Sequence, residues 1–412
     1  MSILPQEDHD IYKTGSEAHI LSDRERKNIA ILETIRRHGP TTKADISKLT
    51  KINIVTVYNY INTYVQSGLV VESGLATSTG GRRPGVVELN PQAGFTIGVD
   101  LGLWNVTGVL TDLKANIVQR VVKERPGKDG ERVVSSVIDT IKELLAQAKH
   151  KPSELKNINI GVSGLVDKEA GTIRCTKGVV SIYMPITRMV EEAFGVQTFL
   201  EHDATAAAFG EWWLNFGTDT RIVLYLYSGV GCGIVINGEV YQGVSGVAGE
   251  ISIKETEEEG QLGPWVGNIS SLRPWAMDLG MVPQARNAMT KGVNSEIFRR
   301  AENNPERISL AMILQAAREG DKLAVELVTA AGAQLGVRVA FLVNLFNPEV
   351  VVIGGGLEQA GEIVLDAVKS AVRTYAFEEA ANAVKIVPSR FRENAVSLGA
   401  AALGIREIFA RA

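Results

Sequence analysis

Two carboxylates and a histidine stand out as residues that could bind a polar ligand. Asp203 follows an apolar run in QTFLEHDATAAAFGEWW and is preceded by His202, while Glu250 ends the glycine-rich stretch GVAGE. A carboxylate accepts hydrogen bonds from hydroxyl groups and can take a proton as a general base. A histidine donates hydrogen bonds and can carry charge near neutral pH. These residue types could bind a ligand that carries hydroxyl groups, and His202 would suit an acidic or phosphorylated one.

Each of these residues also has a plainer interpretation. Asp203 could cap the helix that follows it, because Asp is a favoured N-cap residue, and capping is compatible with ligand binding. His202 could be a polar residue satisfied by protein partners, and Glu250 could be a solvated glutamate before a strand. Glu201, next to His202, is interpreted as structural.

A second pattern points to nucleic acid. Residues 54–67 read as a helix whose outward face offers polar side chains without Lys or Arg, namely Asn53, Thr56, Tyr58, Asn59 and Asn62. Asparagine pairs with an adenine edge, whereas guanine is usually read by Arg or Lys, so A·T-rich sites are expected. Arg82 and Arg83 lie on a glycine-rich stretch and could enter a minor groove or hold phosphates.

The elements that would position this helix are short and well delimited. Helices are predicted over 22–38, 42–49 and 54–67, with Ser22 or Asp23, Thr41 or Thr42, and Asn53 as caps. Val57, Ile61, Tyr64 and Val65 should face inward. LVVES and GVVELN alternate as two strands. Three helices and a two-stranded ribbon predict a winged helix-turn-helix, whose third helix enters the major groove; a helical dimerisation subdomain is the alternative.

Composition and charge agree with a DNA-binding segment on a larger body. Residues 24–83 carry ten Lys and Arg against four acids, whereas residues 1–23 carry one Lys against five acids. With 412 residues, 45% hydrophobic and 22% charged, two or three globular domains are expected. No apolar run approaches the length of a membrane span, and the polar N-terminus does not read as a secretory signal. Two distant cysteines exclude a disulfide framework, so a cytoplasmic location is expected.

The body alternates strands and helices in two similar halves. FTIGVDLG, NVTGVLTD and NIVQRVVKE form a strand-turn-strand pattern that recurs at 221–242. Helices are expected at 132–149, 186–194 and 309–346. Two such α/β halves predict a two-lobed actin-like (sugar kinase/ribonuclease H-like) body. The predicted division is an acidic tail at 1–21, a head at 22–90 and lobes at 91–210 and 211–412.

Several stretches, in order along the chain, resemble the ROK family of repressors, open reading frames and kinases. They are GFTIGVDLG, IGVSGLVD, EHDATAAAFGE, YSGVGCGIVINGEVYQG, GVAGE, NPEVVVIGGGL and SLGAAALG. The resemblance covers nearly the whole chain. Because the kinases of this family usually lack a winged helix, the resemblance is to its transcriptional regulators.

The resemblance also implies that kinase activity is lost. The first phosphate turn of the family runs Asp-x-Gly-Gly-Thr, whereas residues 100–104 here are DLGLW, with Leu103 and Trp104 expected to crowd the phosphate. The second turn, Gly-Thr-Gly in the family, is replaced by residues 227–229, YSG. Gly354–Gly356 still fit the adenosine-side loop. No catalytic residue and no cofactor are therefore assigned.

The resemblance implies that part of the family's sugar-binding site is retained. Asp203 matches the catalytic base of the family kinases, and Glu250 matches a sugar-binding glutamate. His202 and Thr205 stand where the family has asparagines, and Ser270 where it has a later glutamate. The zinc ligands are missing: Ile253 occupies the histidine position and the loop KETEEEGQLGPWVGN has no cysteine or histidine, so no metal is expected.

We therefore expect an operator-binding transcriptional regulator whose degenerate kinase body senses a sugar or sugar derivative. A palindromic operator implies a homodimer or homotetramer. Two alternatives remain open at this point. One is an active sugar kinase with an attached regulator, and the other is an oligomerisation scaffold that a protein partner controls.

Overall fold

The computed structural model describes residues 21–75, 85–102, 104–127, 129–174, 184–227, 231–251 and 279–412. Several residues singled out in the sequence lie outside the described residues, namely Arg82, Arg83, Leu103, Ser228, Gly229, Ile253 and Ser270. The predicted acidic tail lies almost entirely outside them as well.

The head begins with three helices, as the capping residues predict. These are α1 (Asp23–His38), α2 (Lys43–Thr50) and α3 (Ile54–Gln66). Ser22 and Glu25 form a reciprocal capping box at α1. The Thr42 side chain accepts from the Asp45 amide at α2, and the Asn53 side chain accepts from the Val55 amide at α3. Each helix start is therefore set by a side chain within three residues of it.

A small antiparallel sheet completes the head. It comprises β1 (Thr41–Thr42), β2 (Val70–Leu75) and β3 (Gly85–Leu89), in the order β1-β3-β2. The two predicted strands are confirmed, and β1 is an addition. Val57, Ile61 and Tyr64 are buried on the inner face of α3, as expected. Val65 is 38% exposed, so the expectation that it faces inward is wrong; helical spacing puts it at the edge of the stripe formed by Val57, Ile61 and Tyr64.

The first sheet of the body has the strand order β10-β7-β4-β5-β6. Its strands are β4 (Phe95–Leu101), β5 (Asn105–Asp112), β6 (Ile117–Glu124), β7 (Leu155–Val162) and β10 (Thr198–His202). Strands β4, β5 and β6 are antiparallel neighbours, while β4, β7 and β10 run parallel. Helices α4 (Gly130–Ala148) and α5 (Ile186–Phe194) and the hairpin of β8 (Leu165–Asp167) and β9 (Thr172–Arg174) complete this lobe.

The second sheet repeats this plan in the order β13-β12-β11-β14-β15. Its strands are β11 (Ile222–Tyr227), β12 (Gly231–Ile236), β13 (Glu239–Val240), β14 (Val350–Gly354) and β15 (Lys385–Pro388). Again a three-stranded antiparallel meander leads into parallel pairs. The recurrence that the sequence predicted at 221–242 is therefore confirmed as a repeated topology.

The helices of the second lobe pack on its sheet. They are α7 (Met281–Thr290), α8 (Glu296–Arg300), α9 (Leu310–Arg318), α10 (Lys322–Phe346), α11 (Glu362–Tyr375) and α12 (Glu378–Ala383). The single helix expected over 309–346 is split in two. Gly320 has a positive φ of 86° and Asp321 then caps α10, which ends one helix and starts the next.

Two helices lie between the sheets. They are α6 (Asp203–Glu211), which continues as a π-helical turn over Trp212–Phe216, and α13 (Ala395–Ala410). Helix α13 comes from the end of the chain yet packs on α6 and on β4, β5 and β7 of the first sheet. The last helix of the predicted second lobe therefore packs against the sheet of the first.

Within the described residues, α10 is long and apolar enough to cross a membrane. More than half of its apolar window is buried inside the protein, and its inward residues belong to the core of the second lobe. The core helix of a globular protein can have the same length and apolar composition as a membrane-spanning helix.

Candidate functional site

The site lies where the three parallel strands of the first sheet end. In the register of these strands Leu101 of β4 pairs with Val162 of β7, and Val162 pairs with His202 of β10. The carboxyl ends of parallel strands in open α/β sheets form a crevice for ligands. Asp100, Ser163 and Asp203 are brought together at this edge, although they are far apart along the chain.

Asp203 is the most enclosed of these groups, with 3% of its surface exposed. Its Oδ2 accepts a hydrogen bond from Ser163 Oγ at 2.5 Å, and its Oδ1 accepts from the Ala204 amide at 2.6 Å. It is the first residue of α6; His202 occupies the N-cap position without a side-chain capping bond. Two fixed donors thus orient the carboxylate. Ser163 was not identified from the sequence, because only the pairing of β7 with β10 reveals it.

His202 connects the two carboxylates predicted to bind the ligand. Its Nε2 lies 3.4 Å from Asp203 Oδ1 and 3.6 Å from Glu250 Oε1. Glu250 reaches the site because its backbone forms an isolated bridge with Gly231 at the start of β12. Burial raises the pKa of the Glu250 carboxyl; His202 opposes this rise and Asp203 adds to it. The structure therefore places Asp203, His202 and Glu250 in one cluster between the two lobes.

The neighbouring residues have structural partners. Glu201 is 9% exposed, pairs with Lys168 and accepts two hydrogen bonds of 2.9 Å from Gln242 Nε2. Gln242 follows β13, so this contact joins the two lobes. Thr205 is 3% exposed within α6. The interpretation of Glu201 as structural agrees with these contacts.

Tyr227 occupies the other side of the site. It ends β11 and pairs with Gly231 of β12 and Gly354 of β14. Its ring stacks on Tyr225 at a centroid separation of 6.5 Å. Burial raises the pKa of its hydroxyl well above the ordinary value, and Asp100 and Asp203 raise it further. Gly231, its partner on β12, borders the predicted effector residues, because a Cβ at Gly231 would lie 3.5 Å from His202 Cε1.

Asp100 is a half-buried residue near the carboxyl end of β4. Burial raises its pKa well above the ordinary value, with a smaller contribution from Asp203. Its Oδ1 is buried and has no hydrogen-bond partner among the residues that the structure describes. Such a group is costly to leave unpaired, so a ligand that donates a hydrogen bond here would relieve that cost.

The Trp104 side chain is 75% exposed to solvent. The expectation that this ring and Leu103, which lies outside the described residues, crowd the phosphate stays a prediction. Two bonds anchor this loop: the Arg125 amide donates to the Trp104 carbonyl, and the Arg125 guanidinium donates to the Gly102 carbonyl.

Within the described part of the chain, no cluster of three or more His, Cys, Asp or Glu residues could hold a metal ion. The loop whose sequence lacks zinc ligands, including Ile253, lies in 252–278, outside the described residues. The expectation that no metal is bound stays a prediction for that loop.

The outward face of α3 is a second candidate site. Tyr58, Asn59 and Asn62 are exposed, Thr56 is half-buried, and the Asn53 oxygen is occupied in capping the helix. Helical spacing places Val55 beside Asn59 and Asn62, and Val55 is 65% exposed. Lys43 Nζ lies 4.8 Å from the centroid of the Tyr58 ring. Val55 and Lys43 could not be identified from the sequence, because a valine in a helix usually indicates core packing and Lys43 lies on another helix, α2.

Comparisons with known proteins show the family of this chain. The ROK family model matches residues 96–407. A "Putative xylose repressor" of Caldicellulosiruptor sp. (strain Rt8B.4) is 31% identical over 385 residues, which cover 93% of this chain and 96% of the relative. The "DNA-binding transcriptional dual regulator NagC" of Escherichia coli (strain K12) is 26% identical, with 92% of each chain covered.

Solved structures show the same fold. A ROK family transcriptional regulator described as a homolog of E. coli MLC superposes with a TM-score of 0.73 at 23% identity, covering 94% of this chain and 97% of that one. A ROK family glucokinase from Streptomyces griseus, solved with glucose and AMPPNP, gives a TM-score of 0.63 at 26% identity, covering 75% of this chain and 99% of that one. The body thus has the actin-like fold of these regulators and kinases, and the chain belongs to the ROK family.

Proposed function

We propose that this protein is a cytoplasmic DNA-binding transcriptional regulator that represses carbohydrate-related genes and responds to a sugar-like effector. One observation carries the proposal. Relatives named as a putative repressor and as a DNA-binding transcriptional regulator match 92–93% of the chain, whereas the glucokinase matches 75% of it although nearly all of that kinase is aligned. The family model itself begins at residue 96. The head therefore distinguishes this chain from the kinases.

The head, residues 22–90, is proposed to be a winged helix-turn-helix. Support comes from its three capped helices, its small antiparallel sheet and the exposed polar face of α3. Asn59 and Asn62 would read adenine edges, and the Val55 methyl groups would contact thymine methyls. Arg82 and Arg83, between β2 and β3, would hold phosphates or a narrow minor groove.

The body, with lobes at 91–210 and 211–412, is proposed to sense the effector. Asp203, His202 and Glu250 share one cluster between the lobes. Their carboxylate oxygens would accept hydrogen bonds from the hydroxyl groups of a sugar, and the His202 ring would donate one. The two lobes can close over this cluster to different degrees. An effector that binds one degree of closure more tightly would raise the population of that state and of the head arrangement that goes with it. The site and this mode of control are both proposals.

The operator is proposed to be palindromic and read by a homodimer or homotetramer. Support comes from four exposed apolar side chains at the adjacent ends of α10 and α11: Phe341, Leu345, Tyr375 and Phe377, each more than 60% exposed. The Phe377 amide donates to Asn344 Oδ1, which holds this group together. Exposed apolar groups of this kind commonly mark protein contacts.

DNA reading by α3 can be tested with the full chain and a pool of random duplexes. Selection at low salt is expected to enrich two-fold symmetric, A·T-rich sites. Because a lost bidentate contact costs about 1–3 kcal/mol, Asn59→Ala should relax discrimination at one base pair of each half-site. The double variant Arg82→Ala/Arg83→Ala should instead weaken all sequences alike and flatten the salt dependence.

Asn287→Ala, an exposed asparagine on α7, is the control for Asn59, and Arg318→Ala/Arg373→Ala on the body is the control for the arginine pair. Both controls should bind like the unaltered chain. The proposal is wrong if the full chain selects no duplex at low salt.

Tyr227 provides the test of the alternative, an active sugar kinase. Kinase activity is a specific alternative because Asp203 remains at the place of the family's base and the fold matches the glucokinase. Phosphoryl transfer depends on positioned donors around the phosphates, and Tyr227 pairs with Gly231, which borders His202. We expect no ATP turnover with common hexoses, pentoses or amino sugars, and measurably tighter ATP binding in Tyr227→Gly.

ADP release measures ATP turnover, and calorimetry with ATP measures the affinity for ATP. Tyr241→Gly, at a 48% exposed tyrosine after β13, controls for the loss of a ring. Turnover by the unaltered chain at an ordinary kinase rate, about 1–100 s⁻¹, would make the kinase alternative correct.

A further inference from the structure

The helix that carries Asp203 also reaches the head. Helix α6 starts at Asp203, and all nine of its residues are buried. It continues without a break into the π-helical turn Trp212–Phe216. At about 1.5 Å per residue, Trp213 lies about 15 Å along this element from the candidate effector site.

This element is tightly packed against its neighbours. A Cβ at Gly210 would lie 2.7 Å from Gly399 Cα of α13, and a Cβ at Gly233 of β12 would lie 1.9 Å from the Ala204 carbonyl oxygen. Small residues thus bring α6 into backbone contact with both α13 and the second sheet. Close-packed interiors transmit a displacement because they have no free volume to absorb it.

The far end of this element is held by two arginines of α1. The Trp213 carbonyl accepts hydrogen bonds from Arg36 Nη2 at 3.1 Å and Arg37 Nη2 at 3.3 Å. The Arg36 guanidinium also lies 4.3 Å from the centroid of the Trp213 ring, which is 2% exposed. Glu33 binds both arginines and fixes their orientation. This contact is a cation–π pair combined with direct hydrogen bonds.

A second route runs through α13. The Asn28 side chain donates to the carbonyls of Ala410 at 2.9 Å and Ala412 at 2.7 Å. Its Oδ1 accepts from the Tyr64 hydroxyl at 2.6 Å. Tyr64 belongs to α3, so the helix proposed to read DNA is tied through Asn28 to the end of α13. Side chains of the head and body also share one apolar core, including Leu32, Phe209 and Phe409.

We propose that α6 and its π-helical turn transmit occupancy of the Asp203 site to the head through the contact of Trp213 with Arg36 and Arg37, with α13 and Asn28 as the second connection. This inference rests on the proposed function and names how the same site is regulated. A ligand that binds Asp203 and shifts the start of α6 also shifts Trp213. Because Arg36 and Arg37 bind Trp213, this shift reorients α1. By reciprocity, DNA bound to the head changes the site around Asp203.

Hydrogen exchange of the full chain tests the connection without any effector. Arg36→Met keeps the apolar stem over Trp213 but removes the charge and the hydrogen bonds. It should speed exchange of amides in 203–211 about fivefold or more, the lower end of ordinary coupling between sites. Trp213→Phe, which keeps an aromatic ring in the core, should act in the same direction. Arg26→Met, at an exposed position of α1, is the matched control and should leave these amides unchanged.

A second measurement adds the duplex that the full chain selects from the random pool. In the unaltered chain this duplex should change exchange at 203–211, and in Arg36→Met the change should stay within the head. Unchanged exchange at 203–211 in both DNA-free variants, or an equal DNA effect in Arg36→Met, overturns the proposal. If no duplex is selected, the proposed function fails, while the DNA-free comparison still decides whether the two ends are connected.

Discussion

Replacing Asp203 with alanine is expected to leave operator binding nearly unchanged and to remove the response to effector. The carboxylate is fixed by Ser163 Oγ and the Ala204 amide and lies 3.4 Å from His202 Nε2. A hydrogen bond to a charged group contributes about 1.5–3 kcal/mol, and a site that loses its polar partner discriminates poorly for a hydroxylated ligand. Operator affinity should be measured by fluorescence anisotropy with a panel of neutral sugars, amino sugars and their phosphates.

Asp219→Ala, at an exposed position after the π-helical turn, is the control and should respond like the unaltered chain. A sugar from the panel that shifts operator affinity equally in Asp203→Ala and in the unaltered chain would show that the effector binds elsewhere. A bound sugar found away from Asp203, His202 and Glu250 would lead to the same conclusion.

The second large effect is expected at Gly399, where α13 crosses α6. A Cβ at this position would lie 1.9 Å from the Ala206 carbonyl oxygen and 2.5 Å from the Ala206 carbonyl carbon. Both are backbone atoms of a buried helix, so no side chain can move aside. Alanine is favoured over glycine within a helix by about 1 kcal/mol, but overpacking typically costs roughly 1–3 kcal/mol or more. We therefore expect Gly399→Ala to lower the free energy of unfolding.

Denaturant unfolding followed by circular dichroism measures this change. Gly85→Ala in β3 is the matched control, because its nearest neighbouring atom would lie 4.0 Å from the new Cβ. An increase in stability for Gly399→Ala would mean that helix propensity outweighs the contact, and that α6 and α13 are less tightly packed than described.

The sequence alone predicted much of the fold because many of its elements are specified locally. The starts of α1, α2 and α3 depend on Ser22, Thr42 and Asn53, each of which bonds an amide within three residues. The order of ROK-like motifs predicted the family and the two-lobed body, and helical periodicity predicted the burial of Val57, Ile61 and Tyr64. Asp203, His202 and Glu250 were proposed from their residue types and the family resemblance.

Only the tertiary structure decided which of these groups meet. The register of β4, β7 and β10 brings Asp100 and Ser163 to Asp203, and the bridge of Glu250 to Gly231 brings that glutamate from the other lobe. The structure also exposes Trp104, pairs Tyr227 with Gly231 beside His202 and returns α13 to the first sheet. These outcomes depend on pairing and packing between distant segments, where one residue of register reverses which side chains face the site.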